Sequence, residues 1–236
     1  MANLKELDEV LKKNSNAEKA KLLSGFFKTG KGEYGEGDIF LGITVPVQRE
    51  IAQEFEDLGM GEIQQLLDSK VHEKRMIALF ILVDRFNTAD EKTKKETFDF
   101  YLKNTQNINN WDLVDLSAPK IVGEFLIDRN REILRKLAKS EDLWGKRIAI
   151  ISTYAFIREN DFKDTLKIAE ILIKDKHDLI HKGVGWMLRE VGKRDEEMLI
   201  DFLDKNHRVM PRTMLRYAIE KFDEGKRKEY LNKERL

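Results

Sequence analysis

The chain has 236 residues, 41% hydrophobic and 36% charged, with 43 basic and 43 acidic side chains. It is long enough to bury a core, and its zero net charge argues mildly against a polyanion partner. The absence of cysteine excludes a disulfide framework, a thiolate nucleophile and a cysteine metal site, and no apolar run nears the roughly 18 residues of a membrane span.

Apolar residues recur at helical spacing almost throughout, and strand-like alternation is nearly absent, so the expected class is all-α. The opening "MANLKELDEVLKKN" reads as a charged amphipathic helix over 3–14 and not as a signal peptide; a soluble, cytoplasmic protein is expected. A second helix is predicted over 17–28. Residues 28–46, "KTGKGEYGEGDIFLGITVP", break the pattern with a glycine-rich loop at about 29–43, expected to be a flexible excursion between repeats. Gly30, Gly32 and Gly35 spell G-x-G-x-x-G, but no strand precedes them and no helix starts there, which rejects a dinucleotide site. Pro46 after Thr44 then opens a helix over 46–57, followed by helices over 60–69, 71–87 and 91–105.

The helix predicted over 110–127 has an apolar stripe of Val114, Ala118, Ile121, Val122 and Phe125. Trp111 and Asp115, four residues apart, share a face at its edge, while Asp112 and Lys120 point elsewhere. Pro119 has no N–H to offer the Asp115 carbonyl, so a kink is expected. After a helix over 130–139, the one over 142–158 is apolar nearly all round, yet Arg147 projects with Leu143, Ile150, Ile151 and Tyr154. An arginine there needs an anion, either Asp115 or a phosphate.

Helices over 162–174 and 178–192 follow. In the second, the stripe of Ile180, Val184, Met187, Leu188 and Val191 leaves Trp186 on the opposite side, among Lys182, Arg189 and Lys193. An indole on a basic face suits stacking against a sugar or base, and Gly183 and Gly185 beside it would let a neighbour approach closely. His177 and His181 lack a third ligand, so both read as solvated or capping residues and no metal is expected. The last helices are predicted over 195–205, 211–222 and 224–233. From Lys205 onward, Lys233 and Arg235 included, basic residues exceed acidic ones by about five. Arg147, Lys182, Arg189, Arg212 and Arg216 are the candidate phosphate contacts.

Arg75, Trp111, Arg147 and Gly183 stand 36 residues apart, each early in the second helix of a candidate pair. Such a period fits two-helix repeats of the HEAT type. The expected architecture is an α-α superhelix of HEAT-like repeats over 1–236 as one domain, a curved solenoid whose concave basic groove gathers Trp111, Arg147 and Trp186.

One carboxylate without an acid partner does not suit ordinary sugar hydrolysis. It suffices where the leaving group is already activated: a cationic N-alkylated purine departs as a neutral base, and a carboxylate stabilises the charge left on the deoxyribose. The residues alone leave other anion-groove functions open. At "FLGITVPVQR", "NNWDLVDLSAPKIVG", "LWGKRIAI", "LIHKGVGWMLREVGKRD" and "MPRTMLRYAIEKF", however, the chain resembles the HEAT-like-repeat alkylpurine DNA glycosylases of the AlkD type. The resemblance implies excision of N3- and N7-alkylated purines from duplex DNA, without a cofactor, metal or deep base pocket, by a monomer. It implies Asp115 as the catalytic carboxylate, Trp111 and Trp186 as aromatic walls, and Arg147 as a phosphate contact. Two features depart from similar members: a longer glycine-rich loop, and phenylalanine in "SGFFKTG" where some carry tyrosine. Two alternatives stand beside this reading: a non-catalytic HEAT-like protein that binds distorted or branched DNA, and a protein-interaction scaffold.

Overall fold

A computed structural model describes residues 3–232; Lys233 and Arg235 of the basic tail, and the last residue of the helix expected over 224–233, lie outside them. Among the described residues the regular structure is helical, with one isolated parallel bridge between Ile39 and Val71. No described helix is long and apolar enough to cross a membrane. The chain divides into two compact units, Met1–Leu113 and Val114–Leu236.

In the first unit, α1 (Leu4–Asn14) and α2 (Ala17–Phe26) start at Asn3 and Asn16, whose side chains accept the N–H groups of Glu6 and Lys19. α3 (Val45–Glu54) begins after Thr44 with Pro46 in its first turn. α4 (Met60–Leu67), α5 (His72–Thr88) and α6 (Glu91–Lys103) follow. α5 buries every residue from Arg75 to Val83, and α3 and α4 both pack on it, as befits a helix that is apolar nearly all round. Truncating one of its fully buried side chains, such as Leu79, to alanine costs about 2–5 kcal/mol on the usual scale for core leucines.

The glycine-rich loop is not the loose excursion expected from its composition. The fully buried Glu73 turns back from α5, and its Oε1 accepts the N–H groups of Leu41, Gly42 and Ile43 at 2.9, 2.9 and 3.3 Å. Gly42 has φ +82° and lies so close to Asn16 and Ala20 that no side chain fits. Three N–H groups that a buried loop would otherwise leave unpaired are thus satisfied by one carboxylate.

A 3₁₀ turn, Thr105–Asn107, leads to α7 (Trp111–Ala118), within which the division into units falls. The kink expected at Pro119 takes the form of a π turn over Pro119–Gly123, in which the Glu124 N–H reaches back five residues to the Pro119 carbonyl. Gly123 permits the close passage of the Ser152 backbone. The single helix expected over 110–127 is therefore interrupted.

The second unit continues with α8 (Glu132–Ala138), α9 (Leu143–Ser152), α10 (Tyr154–Arg158), α11 (Lys163–Leu172), α12 (Asp178–Gly192), α13 (Glu196–Asn206), α14 (Arg212–Ala218) and α15 (Glu224–Asn232). The helix expected over 142–158 splits into α9 and α10 at Thr153, whose hydroxyl donates to the Ile150 carbonyl at 2.7 Å and competes with the helical ladder. α12 packs on α9, α13 and α14.

The 36-residue spacing reappears as a spacing of bonds. Within the first unit Arg75 donates to Asp38 and His72 meets Asp112; within the second Arg147 reaches Asp115, Arg158 reaches Glu124 and Arg194 reaches Asn160. Each joins residues 32 to 40 positions apart, a pattern consistent with a chain of helical repeats in which one pair of helices is tied to the next.

Candidate functional site

Asp115 and Arg147 form the central contact of the second unit. Arg147 rises from α9 and donates from Nε to Oδ1 of Asp115 at 2.9 Å and from Nη2 to Oδ2 at 2.7 Å. Its Nη1 donates to the Leu179 carbonyl at 2.6 Å. Of the two possible anions for Arg147, the protein itself supplies the carboxylate, in the bidentate geometry that guanidinium favours. The guanidinium is 5% exposed and the Asp115 side chain 14%, so the carboxylate alone keeps an edge toward solvent. Gly183 is built into this contact, because a Cβ there would lie 3.3 Å from Arg147 Nη1.

Trp186 on α12 is half-buried, its ring 6.3 Å from that of Tyr154 and tilted by 36°. Its Nε1 donates to Oε1 of Glu190 at 3.2 Å. The basic face expected around it is charge-paired. Lys182 meets Asp178 at 2.7 Å, Lys193 meets Glu190 at 2.8 Å, and Arg189 meets both Glu190 and Glu220. The expectation counted cations along α12 and missed that Glu190, four residues after Trp186, anchors Arg189 and Lys193, and that Asp178 holds Lys182. The space at Gly185 is also filled from within: a Cβ would fall 2.5 Å from the Met214 carbonyl oxygen and 2.5 Å from Tyr217 Cβ. What approaches this glycine closely is α14. Arg212 donates to the Leu231 carbonyl at 2.7 Å, and Arg216 is exposed beside it.

In the first unit Trp111 opens α7 and is half-buried. It heads a column of rings: Trp111 on Phe27 at 5.1 Å, Phe27 on Phe40 at 5.0 Å, and Phe40 on the imidazole of His72 at 4.5 Å. Phe26, 63% exposed, stands edge-on to Trp111 at 5.8 Å, so an aromatic surface faces solvent. Trp111 and Asp115 are one turn apart on α7, and Asp112 points elsewhere as expected, into the interior beside His72.

The foot of the column was not foreseen. His72, 2% exposed, has Nε2 at 2.8 Å from Asp112 and Nδ1 at 3.4 Å from Asp38. Two ionised carboxylates only accept, so both ring nitrogens serve as donors when the imidazole is charged. Burial opposes that charge, but the hydrogen bond and charge of Asp112, with the hydrogen bond to Asp38, outweigh it and the repulsion of Arg75, and hold the His72 pKa above its ordinary value. Burial likewise disfavours ionised Asp38, but His72 and the Arg75 guanidinium prevail and hold its pKa low. The detectable signal was His72 at the head of an apolar helix, with acids 34 and 40 residues away, close to the repeat spacing. His177 takes the capping role expected of it, accepting the Leu179 N–H at the start of α12, whereas His181, expected to be solvated or capping, is half-buried and bonds the Asp175 carbonyl.

Among the described residues the chain is thus helical, and it holds a carboxylate on a guanidinium with indoles on its helices. The family model described as "DNA alkylation repair enzyme" matches residues 7–222, and the chain belongs to that family. No curated protein matches the sequence. Among solved structures, a "Predicted DNA alkylation repair enzyme from Enterococcus faecalis" is similar, with a TM-score of 0.69, 15% identity, and coverage of 89% of this chain and 98% of that one. That likeness shows the fold. Family membership supports an enzymatic role in the repair of alkylated DNA, with DNA as the partner.

Proposed function

We propose that the protein is a DNA glycosylase that excises cationic N3- and N7-alkylated purines, with Asp115 as its catalytic carboxylate. The observation that carries the reading is the fixed, partly exposed carboxylate of Asp115, gripped by Arg147 and one helical turn from Trp111. In the reaction the C1′–N bond breaks with its electron pair passing to the alkylated base, which leaves uncharged. The positive charge moves to C1′ and the ring oxygen of the deoxyribose, where the Asp115 carboxylate opposes it. Water adds to C1′ and gives up a proton, leaving free alkylpurine and an abasic site. Trp111 and Trp186 pack against the sugar and attract the same charge. Lys182, Arg189, Arg212 and Arg216 contact phosphates; the ion pairs that hold Lys182 and Arg189 are partly exposed and weak enough for a phosphate to replace. Arg147 acts through Asp115, by orienting it.

One observation favours a second reading, a non-catalytic DNA-binding protein: Arg147 engages both Asp115 oxygens, as it would in a purely structural ion pair. Release of methylated bases from alkylated duplex DNA, followed by chromatography, separates the two. The expected result is release of 3-methyladenine or 7-methylguanine, lowered by Asp115→Asn on the order of 10²–10³-fold, the scale for loss of one preorganised electrostatic partner. DNA binding without release by the native protein would sink the glycosylase reading and favour the second.

A further inference from the structure

A cavity of about 400 Å³ opens between α14 and α15, lined by Arg212, Arg216, Ile219, Glu220, Arg227 and Leu231. Three of these six are arginines and one is an acid, and that acid is taken: Glu220 is bound by Arg189 and Lys221. Arg212 spends one donor on the Leu231 carbonyl, a neutral acceptor. Arg216 and Arg227 are exposed and make no side-chain hydrogen bond or ion pair among the described residues. Six arginines elsewhere, Arg75, Arg131, Arg135, Arg147, Arg158 and Arg189, each meet a carboxylate.

Guanidinium groups gathered around one small cavity repel one another, and an anion that enters relieves the repulsion. Each presents a planar fork of donors that matches a phosphate better than an ammonium does. The lining includes no aromatic side chain on which a base could stack; its apolar members are Ile219 and Leu231. Such a site reads the phosphate and ignores the base, so it positions a strand without specifying a sequence.

We propose that the α14–α15 cavity is a phosphate-binding site that holds a backbone phosphate of DNA, with Arg227 of α15 completing what Arg212 and Arg216 begin. The DNA part of this proposal rests on the proposed function above; the phosphate chemistry does not. The site is separate from the Asp115–Arg147 pair and anchors the strand at the C-terminal end of the second unit.

The test compares the native protein with R216A/R227A and with K136A/K139A, which removes two exposed charges at the end of α8. Inorganic phosphate is titrated by calorimetry, and affinity for duplex DNA is followed against salt. All three proteins should unfold at nearly the same urea concentration, since surface substitutions usually stay within about 0.5 kcal/mol. Phosphate should bind the native protein and K136A/K139A but not R216A/R227A. The slope of log affinity against log salt should become shallower by about 1 to 2 in R216A/R227A, near 0.9 for each phosphate that is no longer neutralised, and should stay unchanged in K136A/K139A. An equal change in both variants, or no phosphate binding by the native protein, overturns the site. Phosphate binding with an unchanged DNA slope overturns the assignment to a backbone phosphate and leaves a site for free phosphate. Absence of base excision together with the expected slopes would defeat the glycosylase reading and leave this one standing.

Discussion

Replacing Arg147 by methionine keeps much of the side-chain length but removes three donors: those to Asp115 Oδ1, Asp115 Oδ2 and the Leu179 carbonyl. The Asp115 carboxylate then sits mostly out of water without its counter-charge. Removing one partner of a buried pair costs about 3–5 kcal/mol; Asp115 keeps 14% exposure, so the lower end, about 3 kcal/mol, applies. Asp115→Asn strands the guanidinium instead, which is 5% exposed and left with the Leu179 carbonyl, and the cost should be nearer the upper end, about 4 kcal/mol. In the double variant neither charge is stranded, so its cost should fall well short of the two single losses together, because the large penalty belongs to a buried charge left without its partner. The two single losses should therefore not add, and a coupling of at least about 2 kcal/mol is expected from urea unfolding of the four proteins. Additive losses, within about 0.5 kcal/mol, would refute the description of Asp115 and Arg147 as a mutually dependent pair. Excision measured where each variant remains folded adds a second readout: R147M should retain more activity than D115N, because it disorients the carboxylate without removing it.

His72 makes stability depend on pH. Its pKa is raised in the fold, so its contribution is complete below the ordinary histidine value of about 6.5 and is lost as pH climbs through the raised value; urea midpoints of the native protein, minus those of His72→Gln, should fall across that range, and a flat difference would contradict the charged imidazole. His177, lowered chiefly by burial, pushes the other way and cancels in that difference. Two glycines in helices should respond oppositely to alanine: Gly25→Ala in α2, where nothing lies within 4 Å, should stabilise by about 0.5–1 kcal/mol through helix propensity. Gly185→Ala meets backbone at 2.5 Å and should destabilise by about 1–3 kcal/mol; a stabilising Gly185→Ala would mean that α12 and α14 do not pack as described.

The helices were legible because each needs only a local pattern of apolar residues and a capping side chain, both visible in a window of a dozen residues. The 36-residue spacing was legible as a recurrence of such windows, and the apolar neighbours of Arg147 on its own helix foretold that it would need an anion. Partner identity was not local. Nothing near His72 names Asp38 or Asp112, and nothing near Glu73 names the N–H groups of residues 41–43. The glycine-rich loop looked loose because its anchor lies some thirty residues ahead. The basic face of Trp186 was misjudged for a related reason. Charge was counted on one helix, whereas Arg189 is also paired by Glu220, beyond α14.

The π turn at Pro119 has a consequence for angular phase. From Leu113 to Leu126 the buried side chains come in pairs every four positions, 113 and 114, 117 and 118, 121 and 122, 125 and 126, with Gly123 buried besides. An α-helix turns about 100° per residue, so a four-residue spacing kept over twelve residues would drift by about 120°. The extra residue of the π turn removes about 100° of that drift. It keeps a single inward face, and on the other side a single outward row of Trp111, Asp115, Pro119 and Glu124. Pro119 and Gly123 thus act as a phase correction written into the chain: deleting one residue between them would restore an ordinary helix and turn Asp115 out of step with the core that follows it.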